Sequence, residues 1–109
     1  MNLIITDIST IQLDLDKLYE EGVQNVLTMV PRAKLVFKDK DFIYQGLAAM
    51  RARFDWTPQA DEKQTLSLYQ IQVADKNREN LYVLSFTTLK IDFEKARPIF
   101  DNIASTFRV

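Results

Sequence analysis

The feature that most constrains this chain is the passage from Leu81-Tyr-Val-Leu-Ser-Phe-Thr-Thr88 into the segment Phe93 to Phe107. The first run is aromatic, β-branched and hydroxyl-bearing, and reads as a strand; the second repeats Phe93, Ala96, Ile99, Phe100, Ile103, Ala104 and Phe107 at helical spacing. A strand that feeds at once into an amphipathic helix implies a sheet covered by that helix. Asp92 is a candidate N-cap. Pro98 lacks the amide that would bond the Glu94 carbonyl, so the spacing predicts a short first turn and a regular helix beginning near Pro98.

The rest of the chain supplies partners for that pair. Leu3 to Ile8 is a short β-branched strand. Leu15, Leu18, Tyr19, Val23, Val26, Leu27 and Val30 then follow a helical period, with Asp14 as N-cap, Asp16 in the first turn and Pro31 as the stop. Gly22 stands where a core residue is expected, which implies close approach of this helix to the sheet. Lys34 to Lys38 is a short strand and Lys38 to Asp41 a charged turn. Beyond Gly46, which signals a bulge or sharp bend, Ala48, Met50, Ala52, Phe54 and Trp56 alternate with Leu47, Ala49, Arg51, Arg53 and Asp55 as a long, half-buried strand. Thr57 to Gln64 is a polar loop. Leu66 and Leu68 fall out of phase with Tyr69, Ile71 and Val73, so a bulge or strong twist near Leu68 is expected. Asp75 to Asn80 turns the chain into the strand at Leu81. The sum is a single α+β domain over 1–109, an antiparallel meander with an N-proximal and a C-terminal helix packed on one face.

Composition excludes more chemistry than it suggests. There is no histidine, so the near-neutral proton shuttle and the commonest metal ligand are missing; there is no cysteine, so thiolate chemistry and disulfides are too. Gly22 and Gly46 are the only glycines, which leaves no phosphate-cradling loop. Asp39 and Asp41 lack the glycine and distal glutamate of a calcium loop. Asp14 with Asp16, Glu20 with Glu21, and Asp61 with Glu62 read as solvated charge rather than acid/base pairs. No catalytic residue, cofactor or metal is therefore expected. Fourteen basic against fifteen acidic side chains give a formal net charge of -1, so neither nucleic acid nor anionic lipid is an expected partner. No positively charged leader with an apolar core opens the chain, and no stretch reaches the ~20 apolar residues that span a bilayer. The expectation is a cytoplasmic chain as given, or a periplasmic or envelope-associated one if a leader has been removed.

What remains is a surface. If the strands pair in order, Arg51 and Arg53 lie beside Gln70, Gln72, Leu81, Val83, Ser85 and Thr87, a face of mixed apolar and hydrogen-bonding groups suited to a peptide or helix.

Gly46-Leu-Ala-Ala-Met-Arg-Ala-Arg-Phe-Asp-Trp56, Tyr69 to Asp75, Leu81 to Thr88 and the closing Ala96-Arg-Pro-Ile-Phe-Asp-Asn-Ile-Ala-Ser-Thr-Phe-Arg108, with its Ser-x-Phe ending, resemble the bacterial DcrB-like family over roughly Leu3 to Arg108. The resemblance implies a PsbP/Mog-like fold and a non-enzymatic role. Relatives of that kind include envelope lipoproteins, photosystem extrinsic subunits, a nuclear-transport factor and Eag-type chaperones for type VI secretion effectors. It points to a protein-binding or accessory domain, an Eag-type chaperone adaptor in its sharper form, with a structural or assembly subunit of the cell envelope as the alternative. The family's usual strand or hairpin before the segment equivalent to Leu3 to Ile8 has no counterpart in this sequence. An uncovered sheet edge, and homodimerisation through it, are the expected consequences.

Overall fold

The computed structural model describes residues 1–12, 14–58 and 64–109. Asp61, Glu62 and the middle of the loop expected over Thr57 to Gln64 lie outside them. The elements are β1 (Asn2–Asp7), α1 (Leu15–Met29), β2 (Lys34–Tyr44), β3 (Leu47–Trp56), β4 (Leu66–Ala74), β5 (Asn80–Leu89), a 3-10 turn (Lys90–Asp92) and α2 (Phe93–Thr106). All five strands form one antiparallel sheet in the order β1-β5-β4-β3-β2. The α+β class and the antiparallel meander stand as read from the sequence.

The layering does not. α1 packs on Met50, Ala52, Phe54, Ala74 and Leu81, whereas α2 packs on Ala49, Tyr69, Ile71, Val73, Leu84 and Phe86. These sets alternate along β3, β4 and β5, so the helices cover opposite faces of the sheet rather than sharing one. The same fact removes the bulge expected at Leu68. β4 pairs without a register shift on both sides, Leu68 toward α1 and Tyr69, Ile71 and Val73 toward α2. A central strand with both faces covered needs no single apolar phase.

The irregularities lie in β2 instead, where register shifts fall between Leu35 and Phe37 and between Asp39 and Phe42. The charged segment read as a turn is thus a distortion within one continuous strand. The true turn is Gln45-Gly46, with φ of 52° and 81°, joining paired Tyr44 and Leu47. Positive φ at both central positions is the two-residue hairpin geometry that suits strand twist, and glycine accepts it without penalty.

α1 begins as the sequence suggests. Asp14 accepts from the Lys17 amide at 2.9 Å. The Tyr19 hydroxyl donates to the Ala48 carbonyl at 2.8 Å and accepts from the Ala74 amide at 3.1 Å, which ties the helix to β3 and β4. On the β2 side Lys38 donates to Glu20 at 2.6 Å, and this bond holds the Glu20 carboxyl below its ordinary value. α2 departs from expectation. It runs unbroken from Phe93 through Pro98, whose ring is exposed, and Asp92 makes no side-chain cap. Ile99 and Ile103 point to solvent, at 60% and 41% exposure, so the packed stripe is narrower than the sequence pattern.

Gly22 is where α1 touches the sheet. A Cβ there would fall inside van der Waals contact of the Gln72 side-chain amide, which is itself buried. Glycine costs a helix ~1 kcal/mol relative to alanine, so Gly22→Ala would ordinarily stabilise. The clash is expected to outweigh that gain, leaving the variant ~1–2 kcal/mol less stable in urea melts. In a Gln72→Ala background the same substitution should become stabilising, and loss of stability in both backgrounds would contradict this contact.

Candidate functional site

The eight residues singled out from the sequence do not share a surface. In the β3–β4 register Arg51 stands opposite Ile71 and Arg53 opposite Tyr69, while Gln70 and Gln72 stand opposite Ala52 and Met50. Arg51 and Arg53 therefore belong to the α2 face. Gln70, Gln72, Leu81, Val83, Ser85 and Thr87 belong to the α1 face. The alternation of charge in β3 marked a face correctly but not its solvent exposure.

Arg53 is a structural residue. Its side chain is only 13% exposed, its Nε and Nη2 reach Asp55 at 3.1 and 3.3 Å, and its guanidinium lies 3.9 Å from the Phe93 ring centre. Ser67, fully buried, donates to Asp55 at 2.6 Å. Arg51 is more open. Its Nε donates to Asp39 at 3.0 Å, and the guanidinium sits 4.6 Å from the Phe42 ring centre.

On the α1 face the helix leaves one side of the sheet partly uncovered. Its Glu20–Lys38 pair pins it toward β2. Toward β1 a groove of about 360 Å3 opens between the helix and β4, β5 and β1. Ile4, Ile8, Leu18, Val26, Leu81 and Val83 form its apolar walls, and Gln70 and Gln72 lie at the sheet. Gln72 is 1% exposed, and its Oε1 has no hydrogen-bond partner. A buried amide oxygen left unmatched costs ~1–3 kcal/mol, an expense that a donor entering the groove would remove. Four of the eight residues thus converge here, whereas Ser85 and Thr87 continue the face outside the groove lining.

The groove is continuous with an unprotected sheet edge. The Ile8 amide donates to the Glu79 carbonyl at 2.9 Å, one step beyond the Asp7–Asn80 pair. Antiparallel pairs alternate, so Asn2, Ile4 and Thr6 spend their backbone groups on β5, and Leu3, Ile5 and Asp7 turn theirs outward. Ile4 and Ile5 are 50% and 55% exposed. The opposite edge, β2, carries two register shifts and the charged run Lys38 to Asp41, the usual devices that blunt an edge. β1 has neither.

Sequence reasoning expected an uncovered sheet edge at the Leu3 to Ile8 end but missed that β1 and α1 wall a groove beside it. The signal available was Leu3-Ile-Ile-Thr6, an apolar edge without lysine or proline. Among the described residues no three His, Cys, Asp or Glu side chains gather to hold a metal ion, and no helix is long and apolar enough to cross a membrane. Comparison with protein-family models, with characterised proteins and with solved structures finds no match.

Proposed function

We propose that this chain is a non-enzymatic protein-binding or accessory domain of the DcrB-like type, and that it receives an apolar segment of another protein along the α1 groove and the β1 edge. The observation that carries this reading is the coincidence of an apolar-walled groove, a buried unmatched acceptor on Gln72 and a free strand edge in one place. An extended segment laid beside β1 would take hydrogen bonds from Leu3, Ile5 and Asp7 while its side chains enter the groove. An Eag-type chaperone adaptor is the sharper form of the same idea, since a segment destined for a membrane brings the apolar side chains such walls accept.

A second copy of the chain is the competing occupant, favoured by exposed Ile4 and Ile5. Antiparallel pairing of two β1 strands, with Leu3 of one opposite Ile5 of the other, would match the outward backbone groups of both.

The test is site-specific photo-crosslinking in cells, with the reactive group placed at Ile4, at Asn25 beside the groove, or at Lys95 on α2 as control. Crosslinks from Ile4 and Asn25 to one apolar segment of one protein, and none from Lys95, are expected. Crosslinks solely to a second copy would replace this reading with homodimerisation. Labelling no greater than from Lys95 would sink both.

A further inference from the structure

A second concavity lies on the other face, where the β2–β3 turn meets the C-terminal half of α2. The Tyr44 hydroxyl reaches the carbonyls of Ala104 and Phe107 and holds the turn against the helix end. Between them is a cleft of about 350 Å3, at the lower end of the range for small-ligand pockets. Its apolar surface comes from Phe42, Ile43, Ile71 and Ala104, and its charged residues are Arg51 and Asp101.

The donors here are incompletely used. Among the described residues Arg51 hydrogen-bonds Asp39 through Nε, and its guanidinium also addresses the Tyr69 hydroxyl, so the terminal nitrogens are left without a carboxylate hydrogen bond of their own. Tyr69, fully buried behind the cleft lining, has no other hydrogen-bond partner for its hydroxyl among the described residues than the Arg51 guanidinium. Burial, reinforced by Asp101, pushes this phenol up, and Arg51 and Arg97 offset part of the rise. Tyr69 therefore stays neutral, its oxygen turned to the guanidinium. Asp101 is matched by Arg97 at 3.8 Å, one helical turn away.

We propose that this cleft binds a small organic carboxylate with an apolar body, its carboxylate taken by the terminal nitrogens of Arg51 and its body lying on Phe42, Ile71 and Ala104. A planar carboxylate accepts two parallel N–H bonds from a guanidinium, the geometry that the terminal nitrogens of Arg51 offer, and it would take the place of the neutral phenol as their acceptor. A monoanion fits better than a phosphate dianion, because Asp39 and Asp101 flank the arginine and repel additional negative charge. The cleft lies across the sheet from the α1 groove and does not depend on it.

The experiment is an NMR titration of the 15N-labelled chain with 3-phenylpropionate, beside the uncharged 3-phenylpropanamide of the same shape. Saturable shifts at Gln45 and Ser105 are expected for the acid, with the amide weaker by about tenfold or more. In Arg51→Met, which keeps the stem over Phe42, acid and amide should bind alike. Should that variant lose its fold, Ser105→Leu at the mouth should weaken both ligands while leaving their ratio intact. No saturation by about 10 mM, or equal affinity for acid and amide in the unmodified chain, would overturn the proposal.

Discussion

Asp55→Ala is expected to destabilise the domain by about 3 kcal/mol, although the residue reads in sequence as the end of the charged, outward face of a half-buried strand. The cause is what it leaves behind. Arg53 is 13% exposed and directs both Nε and Nη2 at the lost carboxylate. Its remaining acidic neighbour among the described residues is Glu94, 3.9 Å away and 83% exposed, a weak substitute in high dielectric. Ser67, fully buried, loses the acceptor of its 2.6 Å bond as well. Removing one partner of a largely desolvated pair costs more than the pair is worth, because the surviving charge is unmatched. Arg53→Met should therefore recover most of the loss when combined with Asp55→Ala, since methionine can pack beneath Phe93 without a charge. Urea melts of the two single variants and the double variant provide the cycle. Additive penalties would show that Arg53 is solvated in solution and that this cluster does not behave as buried.

Much of the fold was legible because its local signals agree with one another. The period of α1, its Asp14 cap and the unexpected Gly22 all pointed to a helix drawn close to a sheet, and each has its counterpart in the structure. The layer arrangement was not legible, for a physical reason. Alternation identifies a buried face only when the other face meets water; in β4, with a helix on each side, Leu68 and Tyr69 both face core, and the conflict of phase imitates a bulge. The arginines misled in a related way. Arg51 and Arg53 lie under a helix because their charges meet Asp39 and Asp55 and their guanidinium planes lie over Phe42 and Phe93. One of those acids is two positions away on the same strand, but the other comes from a neighbouring strand whose register a single sequence does not reveal. The sheet side of the α1 groove, Gln70, Gln72, Leu81 and Val83, stands among the residues singled out in the sequence, though as part of an open face shared with the arginines. The larger part, formed by β1, the segment after it and α1, required knowing that β1 pairs with β5.

Phe93→Ala is expected to cost about 3–5 kcal/mol, a loss that follows from where the residue stands in the assembly of α2. Phe93 is 1% exposed, opens the helix directly after the 3-10 turn, and meets Tyr69 edge-on at 6.0 Å while its face receives Arg53. Truncation removes buried ring area and the cation–π contact together, beside a β-sheet surface too rigid to collapse into the space. Phe100 makes a useful contrast. It stacks on Phe86 at 4.5 Å but stays half-exposed, so its alanine variant should lose less. The two ends of α2 should also respond differently. The far end is held by Tyr44 on Ala104 and Phe107, and by the Phe107 ring on Tyr82 at 5.9 Å, none of which involves Phe93. Hydrogen exchange in Phe93→Ala should show faster exchange for the amides that close the first turns of α2, with the amides near Ala104 exchanging at the rate of global unfolding. Uniform acceleration along the whole helix would mean that α2 docks as one unit, and that the carboxylate cleft at its far end depends on Phe93 too.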